Sequence, residues 1–379
     1  MPDVIIIGGG LSGCATAYFL AADGVNVTLL EQGDLNTLAS GSNAGSLHAQ
    51  IPADVFNEYG EDWCRAFAPT LRLYARSIDL WHDCARTFRA DGGTDMEVAT
   101  TGGLLVAADA ADMRWMERKA DIERAAGIPI DLLDRTALRD MAPYLSHTLE
   151  GGAFCPLEGK ANPLIAAPAF ARQAEKLGAK IRRRTAVLSL EQNAGGYVLE
   201  TTHGRMTACH VVNAAGDRCR DVAAMLDVPL DIFSMPIQVS VSEPVAPLIR
   251  HLLYYSRKAL TMKQSAAGTI LIGGGWPARL DAMGRPVADP ASLARNLAAA
   301  LEVVPGLAPV NIVRTWAAHV NGTRDWRPII GEVPGLHGFH ICYVPWMGFT
   351  GGPAAARIIA SRIQGREPPL DCDTNIFAP

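Results

Sequence analysis

Four consecutive aliphatic residues, Val4-Ile5-Ile6-Ile7, run directly into Gly8-Gly9-Gly10-Leu11-Ser12-Gly13, and a second apolar run, Val27-Thr28-Leu29-Leu30, closes on Glu31. No other feature of the chain constrains its fold as strongly. An uninterrupted apolar run suits a parallel strand buried on both faces, and Gly8, Gly10 and Gly13 keep the G-x-G-x-x-G spacing that opens a helix after such a strand. Gly8 permits the tight turn, Gly10 lets a pyrophosphate approach the backbone, and Gly13 lets the helix pack against the strand. The phosphates then meet unpaired N–H groups at a helix N-terminus. Glu31 stands where a carboxylate accepts from a ribose 2′-OH, and its charge disfavours a 2′-phosphate, so FAD and NAD remain and NADP does not.

At 379 residues the chain exceeds one ordinary core, which predicts two domains or one domain with a second inserted. A net charge of -5 gives no basic footprint for nucleic acid, and Arg182-Arg183-Arg184, the one dense basic run, reads as a solvated strand edge. Eight cysteines are scattered without a C-x-x-C pair. That spacing argues against zinc or any iron–sulfur cluster built by this chain alone, so no metal is expected. Without a secretory signal the thiols read as reduced, and the expected location is cytoplasmic. No apolar stretch is long enough for a transmembrane span.

Periodicity predicts a small-residue loop over 35–53, a helical segment over 58–89, a helix over 110–126, and a helix over 163–176 that Gly178 caps in the left-handed region. Strands are expected around 101–106, 187–190, 197–201, 206–209 and 210–216. Alternating segments 236–243 and 269–275 predict an antiparallel sheet, with Tyr254-Tyr255 and Met262-Lys263 in the connection. A helix over 290–304 and a buried strand over 339–344 follow. A loop, Pro345 to Gly352, then leads into a helix over 351–364 with Gly365 as its cap.

Four segments together resemble the D-amino-acid-oxidase-like flavoprotein family, the glycine and sarcosine oxidase group: Val4 to Glu31, Ala39 to Leu47, Val211 to Gly216, and Trp316 to Gly351 with its Pro328-Ile329-Ile330-Gly331 turn. The resemblance implies a Rossmann-like FAD-binding domain (1–90, 145–225 and 320–379) interleaved with an antiparallel-sheet substrate domain (91–144 and 226–319), an α/β plus α+β fold. It implies FAD held by Gly8, Gly10, Leu11, Ser12, Gly13, Glu31, Gln32, Ser40, Ser42, Asn43, Ala44, Gly45, Ser46, Leu47, Val187, Ala215, Gly216, Met347, Gly348, Phe349 and Thr350. His48, Tyr255, Trp316, His319 and Trp346 become candidates for the substrate pocket. Within the group, Gly45-Ser46-Leu47-His48 and Pro345 to Thr350 look most like flavin subunits of bacterial opine and hydroxyproline dehydrogenases. That likeness implies a hetero-oligomer with a second flavin subunit and a small iron–sulfur subunit.

The chain also departs from the family pattern. Where the amino-acid oxidases carry an arginine that clamps the substrate carboxylate, this sequence has Val320 between His319 and Asn321, leaving Arg257, Lys263 and Arg324 as substitutes. Neither a cysteine ahead of the Pro-Ile-Ile-Gly turn nor a histidine near Asn43 is available for a covalent link, so FAD is expected to be non-covalent. No lysine falls within Gly268 to Ile272, where some family oxidases place one beside the flavin, which favours a dehydrogenase. The resulting expectation is oxidation of an amino acid or secondary amine of opine, proline, sarcosine or glycine type by hydride transfer to flavin N5, giving an imine that hydrolyses. An NAD-linked dehydrogenase and a flavin-binding electron-transfer or structural subunit without its own pocket are the competing readings.

Overall fold

The computed structural model, which describes residues 3–379, places the strand Val4–Ile7 within a six-stranded sheet. The order is Ile329–Glu332, Phe339–Tyr343, His210–Asn213, Val4–Ile7, Val27–Leu30, Lys180–Arg182, and every neighbouring pair is parallel except the first. Val4 and Ile6 join one core with Leu11, Val27 and Leu29, while Ile5 and Ile7 join another with Leu190, Tyr197 and Val211. This is the alternation of a strand buried on both faces, and it is why no polar residue interrupts the run. The helices Leu11–Ala22, Pro163–Lys176 and Gly348–Ile363 cover the first face. A three-stranded antiparallel sheet, Val187–Asn193, Gly196–Thr201 and Gly204–Ala208, covers the second.

An eight-stranded sheet faces this layer. Its order is Ile312–Thr323, Ile232–Pro244, Thr269–Gly273, Thr261–Gln264, Leu252–Tyr255, Gly103–Ala107, Gly151–Cys155, Asp131–Asp134. The sequence predicts an antiparallel sheet here, and one pair departs from it: Leu252–Tyr255 runs parallel to Gly103–Ala107. These two strands are not joined by a hairpin, so no tight turn dictates their relative direction. Gly151–Cys155, which the sequence reading assigns to the cofactor-binding part, pairs with Gly103–Ala107 in this sheet. Leu104 and Val106 pack with Ala300 and Val303 of the helix Pro290–Val303, whereas Leu105 turns the other way and borders the large cavity.

Two helix boundaries differ from the periodicity and bear on the site. The segment expected as one helix over 58–89 divides into Ala53–Phe67 and Pro69–Ala90, with Pro69 in the first turn of the second, where its missing N–H costs nothing. Gly60, at φ 77°, breaks the first of them. The last helix begins at Gly348, three residues before the predicted start, so Gly348, Phe349 and Thr350 form its first turn instead of a loop.

Candidate active site

A cavity of about 1090 Å3 runs from the glycine turn to the eight-stranded sheet. At one end the backbone is shaped by necessity. Gly8 has φ 116°, and a side chain on Gly13 would collide with the Gly8 carbonyl, so strand and helix approach closely only because both residues are glycine. Gly10 stands at the N-cap of the helix Leu11–Ala22 and has no side chain to cap it. The N-terminus of Gly348–Ile363 also has no side-chain cap, and no atom comes closer than 4.0 Å to a Cβ built on Gly348. Two uncapped helix N-termini therefore border one cavity, an arrangement that favours anionic groups.

Glu31 lies just past the end of Val27–Leu30, and its carboxylate accepts from the Gly9 N–H at 2.7 Å and the Gly33 N–H at 2.8 Å. Ser40 Oγ accepts from the Leu11 N–H at 2.9 Å and ties the small-residue loop to the glycine turn. That loop bends back through Asn43 Oδ1, which accepts from Gly45 N–H at 2.7 Å, and ends in Ser46–Leu47 paired with Gly159–Lys160. Trp316 Nε1 donates to the Ser42 carbonyl at 2.7 Å, so the eight-stranded sheet grips the same loop. Thr350 Oγ1 accepts from His48 N–H at 2.9 Å and joins the last helix to it.

The other end of the cavity is polar where it meets the eight-stranded sheet. His48 Nδ1 lies 2.7 Å from Tyr254 Oη. Burial, with a smaller contribution from Lys263, pulls the imidazole down to about 3, so His48 is neutral at physiological pH. Tyr254 stands beside Glu158, which is completely buried and accepts from Ala49 N–H at 2.6 Å, Gln50 N–H at 2.9 Å and Gln50 Nε2 at 2.9 Å. His319, Val320 and Asn321 border the cavity from the edge strand, and the buried Asn321 Oδ1 has no hydrogen-bond partner. Trp346 (φ 53°) and Trp326 (φ 66°) stack with centroids 4.6 Å apart, both in the left-handed region that bulky side chains seldom adopt.

The five pocket candidates, His48, Tyr255, Trp316, His319 and Trp346, all border this cavity, but Tyr255 is not the tyrosine that meets His48. Strand alternation turns Tyr255 into the core with Leu253 and Met262 and presents Tyr254 to His48. Most of the residues expected at the cofactor border the cavity as well. Gly13, Gly45 and Leu47 instead support its wall from behind, Gln32 is exposed, and Val187 packs in the core under the three-stranded sheet. Glu158, Gln50 and Tyr254 carry no motif that sequence reasoning detects; only the strict alternation of 252–255 singles out Tyr254.

Of the three substitutes for the missing arginine, Arg257 is held by Asp109 and Asp112 outside the cavity. Arg324 borders the cavity but is largely exposed and paired with Asp231 at 3.1 Å. Lys263 is buried, with Nζ 2.6 Å from Ser46 Oγ, and burial plus the nearby Lys160 pull it down to about 7. Lys263 also stands directly across from Leu271 in the neighbouring strand.

Residues 3–362 match the FAD dependent oxidoreductase family, DAO. The chain belongs to that family. The match removes the NAD-linked alternative: this is an FAD-dependent oxidoreductase. It is 26% identical to the beta chain of sarcosine oxidase from Arthrobacter sp over 96% of this chain and 87% of the relative. It is 24% identical to one of the subunits of opine oxidase from Rhizobium meliloti over 99% of this chain and 96% of the relative. Its fold superposes on glycine oxidase from Geobacillus kaustophilus with a TM-score of 0.85, at 23% identity, covering 100% of this chain and 98% of that one. Among the described residues no helix is long and apolar enough to cross a membrane, and no group of His, Cys, Asp and Glu could hold a metal ion.

Proposed function

We propose that this DAO-family chain oxidises the C–N bond of an amino acid or secondary amine of the opine, proline, sarcosine or glycine type. The observation that carries the reading is one cavity that begins at two uncapped helix N-termini and ends at His48, Tyr254, His319 and Asn321. The first end suits the phosphates and ribose of FAD, with Glu31 on the ribose and the small residues Ser40 to Ser46 leaving room for the ring. Bound there, FAD would supply the hydride acceptor for the carbon that bears the amine. The chain's own task is to bind that amine, keep it neutral and exclude water.

His319 and, through its Nδ2, Asn321 border the cavity where the arginine is missing and take its place as donors to a substrate carboxylate. Cys342 also borders the cavity, but burial pushes its thiol up to about 12, which supports non-covalent attachment. The sarcosine and opine oxidase relatives are both named as single components of larger enzymes, which supports assembly with further subunits. Those subunits would bring the iron–sulfur group that the described residues have no ligand cluster to hold. We assign the segments 1–90, 145–225 and 320–379 to the cofactor-binding domain as part of the same proposal, with Gly151–Cys155 lent to the neighbouring sheet.

Lys263 favours a second reading in which dioxygen takes the electrons, because a buried amine behind Ser46, pulled down to about 7, stabilises in its protonated form negative charge developing nearby. Peroxide formed in step with amine consumption under air supports it; turnover only with an artificial acceptor assigns a dehydrogenase. The oxidation itself is tested by mixing the purified chain anaerobically with glycine, sarcosine, L-proline and an N-carboxyalkyl amino acid, and watching the flavin absorption bleach.

A further inference from the structure

The strand Ile232–Pro244 brings four residues of one face, Phe233, Met235, Ile237 and Val239, to the cavity. Directly across from them on the edge strand stand Gly322, Val320, Ala318 and Trp316, of which the last three also border the cavity. The two strands therefore present a strip without a charged side chain. Its one strong donor, the Trp316 indole, is already given to the Ser42 carbonyl at 2.7 Å. His319 and Asn321 alternate with these residues and leave the strip uninterrupted.

At the Phe233 end the strip meets an aromatic corner that Gly322 makes possible. A Cβ on Gly322 would stand 2.7 Å from Phe233 Cε2 and 2.8 Å from Trp346 Cζ2. In its absence the two rings meet edge to face with centroids 5.7 Å apart, and Trp326 stacks on the same Trp346. The Trp346 N–H donates to the Asn321 carbonyl at 2.8 Å and its indole N–H to the Thr323 carbonyl at 3.4 Å, so the edge strand holds this ring and consumes its donors. Trp346 and Trp326 both keep a left-handed backbone, and strain of that kind gathers where ligands are clamped. Phe233 and Met235 nevertheless remain 39% and 37% exposed, an open apolar surface at the cavity carried on a fixed frame. Arg324, which also borders the cavity, is paired with Asp231 at 3.1 Å.

Resting on the reading that the substrate is an amino acid or amine, we propose that Phe233, Met235, Val320 and Trp346 form a subsite for a bulky apolar arm of that substrate, an aryl or branched alkyl group on its nitrogen or its α-carbon. A guanidinium or carboxylate arm laid on this strip would lose its hydrogen bonds to water and find none in return. An apolar arm gains by leaving water, whereas glycine and sarcosine have no arm to reach the wall. The wall touches the arm and not the reacting carbon. It therefore holds substrate and transition state alike and sets which amine binds.

Titration calorimetry of the FAD-loaded protein with simple carboxylates tests the wall without turnover. Phenylacetate and hexanoate should bind about 10- to 100-fold tighter than acetate, with a more negative heat-capacity change, while glutarate and 4-guanidinobutanoate show no such gain. Phe233→Ala and Met235→Ala should each cut the ratio of phenylacetate to acetate affinity about five- to tenfold. Both side chains are more than a third exposed, so neither truncation opens a hole in a core. Leu280→Ala, at an exposed apolar residue away from the cavity, should leave the ratio as it is. Apolar acids that bind no tighter than acetate, a polar acid that binds tighter than phenylacetate, or a ratio unmoved in either wall variant overturns the subsite. Anaerobic flavin bleaching at low concentration then compares N-benzylglycine with sarcosine, and L- and D-phenylalanine with glycine. Faster bleaching by N-benzylglycine places the arm on the nitrogen, and by a phenylalanine on the α-carbon; an arm that speeds neither pair overturns the proposal. If none of these amines bleaches the flavin, the amine reading fails, and the carboxylate titrations still support or overturn the wall by themselves.

Discussion

At the scale of single residues, the glycine turn and Glu31 make the sharpest demands. Gly13→Ala places a methyl group on the Gly8 carbonyl, with no flexible neighbour to yield, so a destabilisation of about 1–3 kcal/mol is expected from overpacking. Chemical denaturation of the two proteins measures it, and retention of full FAD content in the variant contradicts the role given to this turn. Glu31→Gln should weaken FAD by about 1.5–3 kcal/mol, the cost of losing hydrogen bonds to a charged acceptor. Fluorescence titration of the apoprotein with FAD would show this as at least a tenfold rise in Kd. These residues are legible in the sequence because their chemistry is local: a glycine spacing and an acid at a strand end say what the backbone must do. Tyr254 is not, since Tyr254-Tyr255 offers two candidates and only the strand's register decides which faces His48. Glu158 carries no signal at all, because its partners are main-chain N–H groups more than a hundred positions away.

At the scale of elements, long apolar runs are legible and their edges are not. The strand 4–7 is wholly aliphatic, and 210–213 and 339–343 announce themselves by the apolar residues Val211, Val212, Phe339 and Ile341 that burial on both faces favours. The last helix starts three residues earlier than its periodicity suggests because Gly348, Thr350 and Gly351 have weak helix propensity, and packing against the helix Pro69–Ala90 overrides it. The wall segment 48–51 depends on another element, the helix Ala110–Ala125. There Lys119 and Glu123 pair at 2.6 Å in full burial, and Glu123 Oε1 accepts from Ile51 N–H at 2.7 Å. Lys119→Met would leave Glu123 buried without its cation, at an expected cost of about 3–5 kcal/mol. A thermal melt reads this loss directly; a variant as stable as the parent would mean that the pair does not hold the wall.

At the scale of the whole molecule, burial of neutral histidines sets the response to acid. Burial pulls His340 and His251 from the ordinary 6.5 down to about 4. His340 sits against His210, with Glu332 and His337 beyond, and its Nδ1 has no hydrogen-bond partner. Since these folded-state values lie below the unfolded ones, the unfolded chain binds more protons between pH 6.5 and 4. The stability they confer is complete above 6.5 and drains away as pH falls toward 4. Denaturation midpoints across that range should fall, and fall less steeply in His340→Asn.

In the proposed function, one cavity shared by two sheets takes FAD against the first and the substrate against the second. The decisive experiment is anaerobic titration of the FAD-loaded chain with glycine, sarcosine, L-proline and an N-carboxyalkyl amino acid. A shared cavity predicts that at least one amine bleaches the flavin absorption stoichiometrically and yields the corresponding oxo product; a flavin that stays fully oxidised with all four contradicts it.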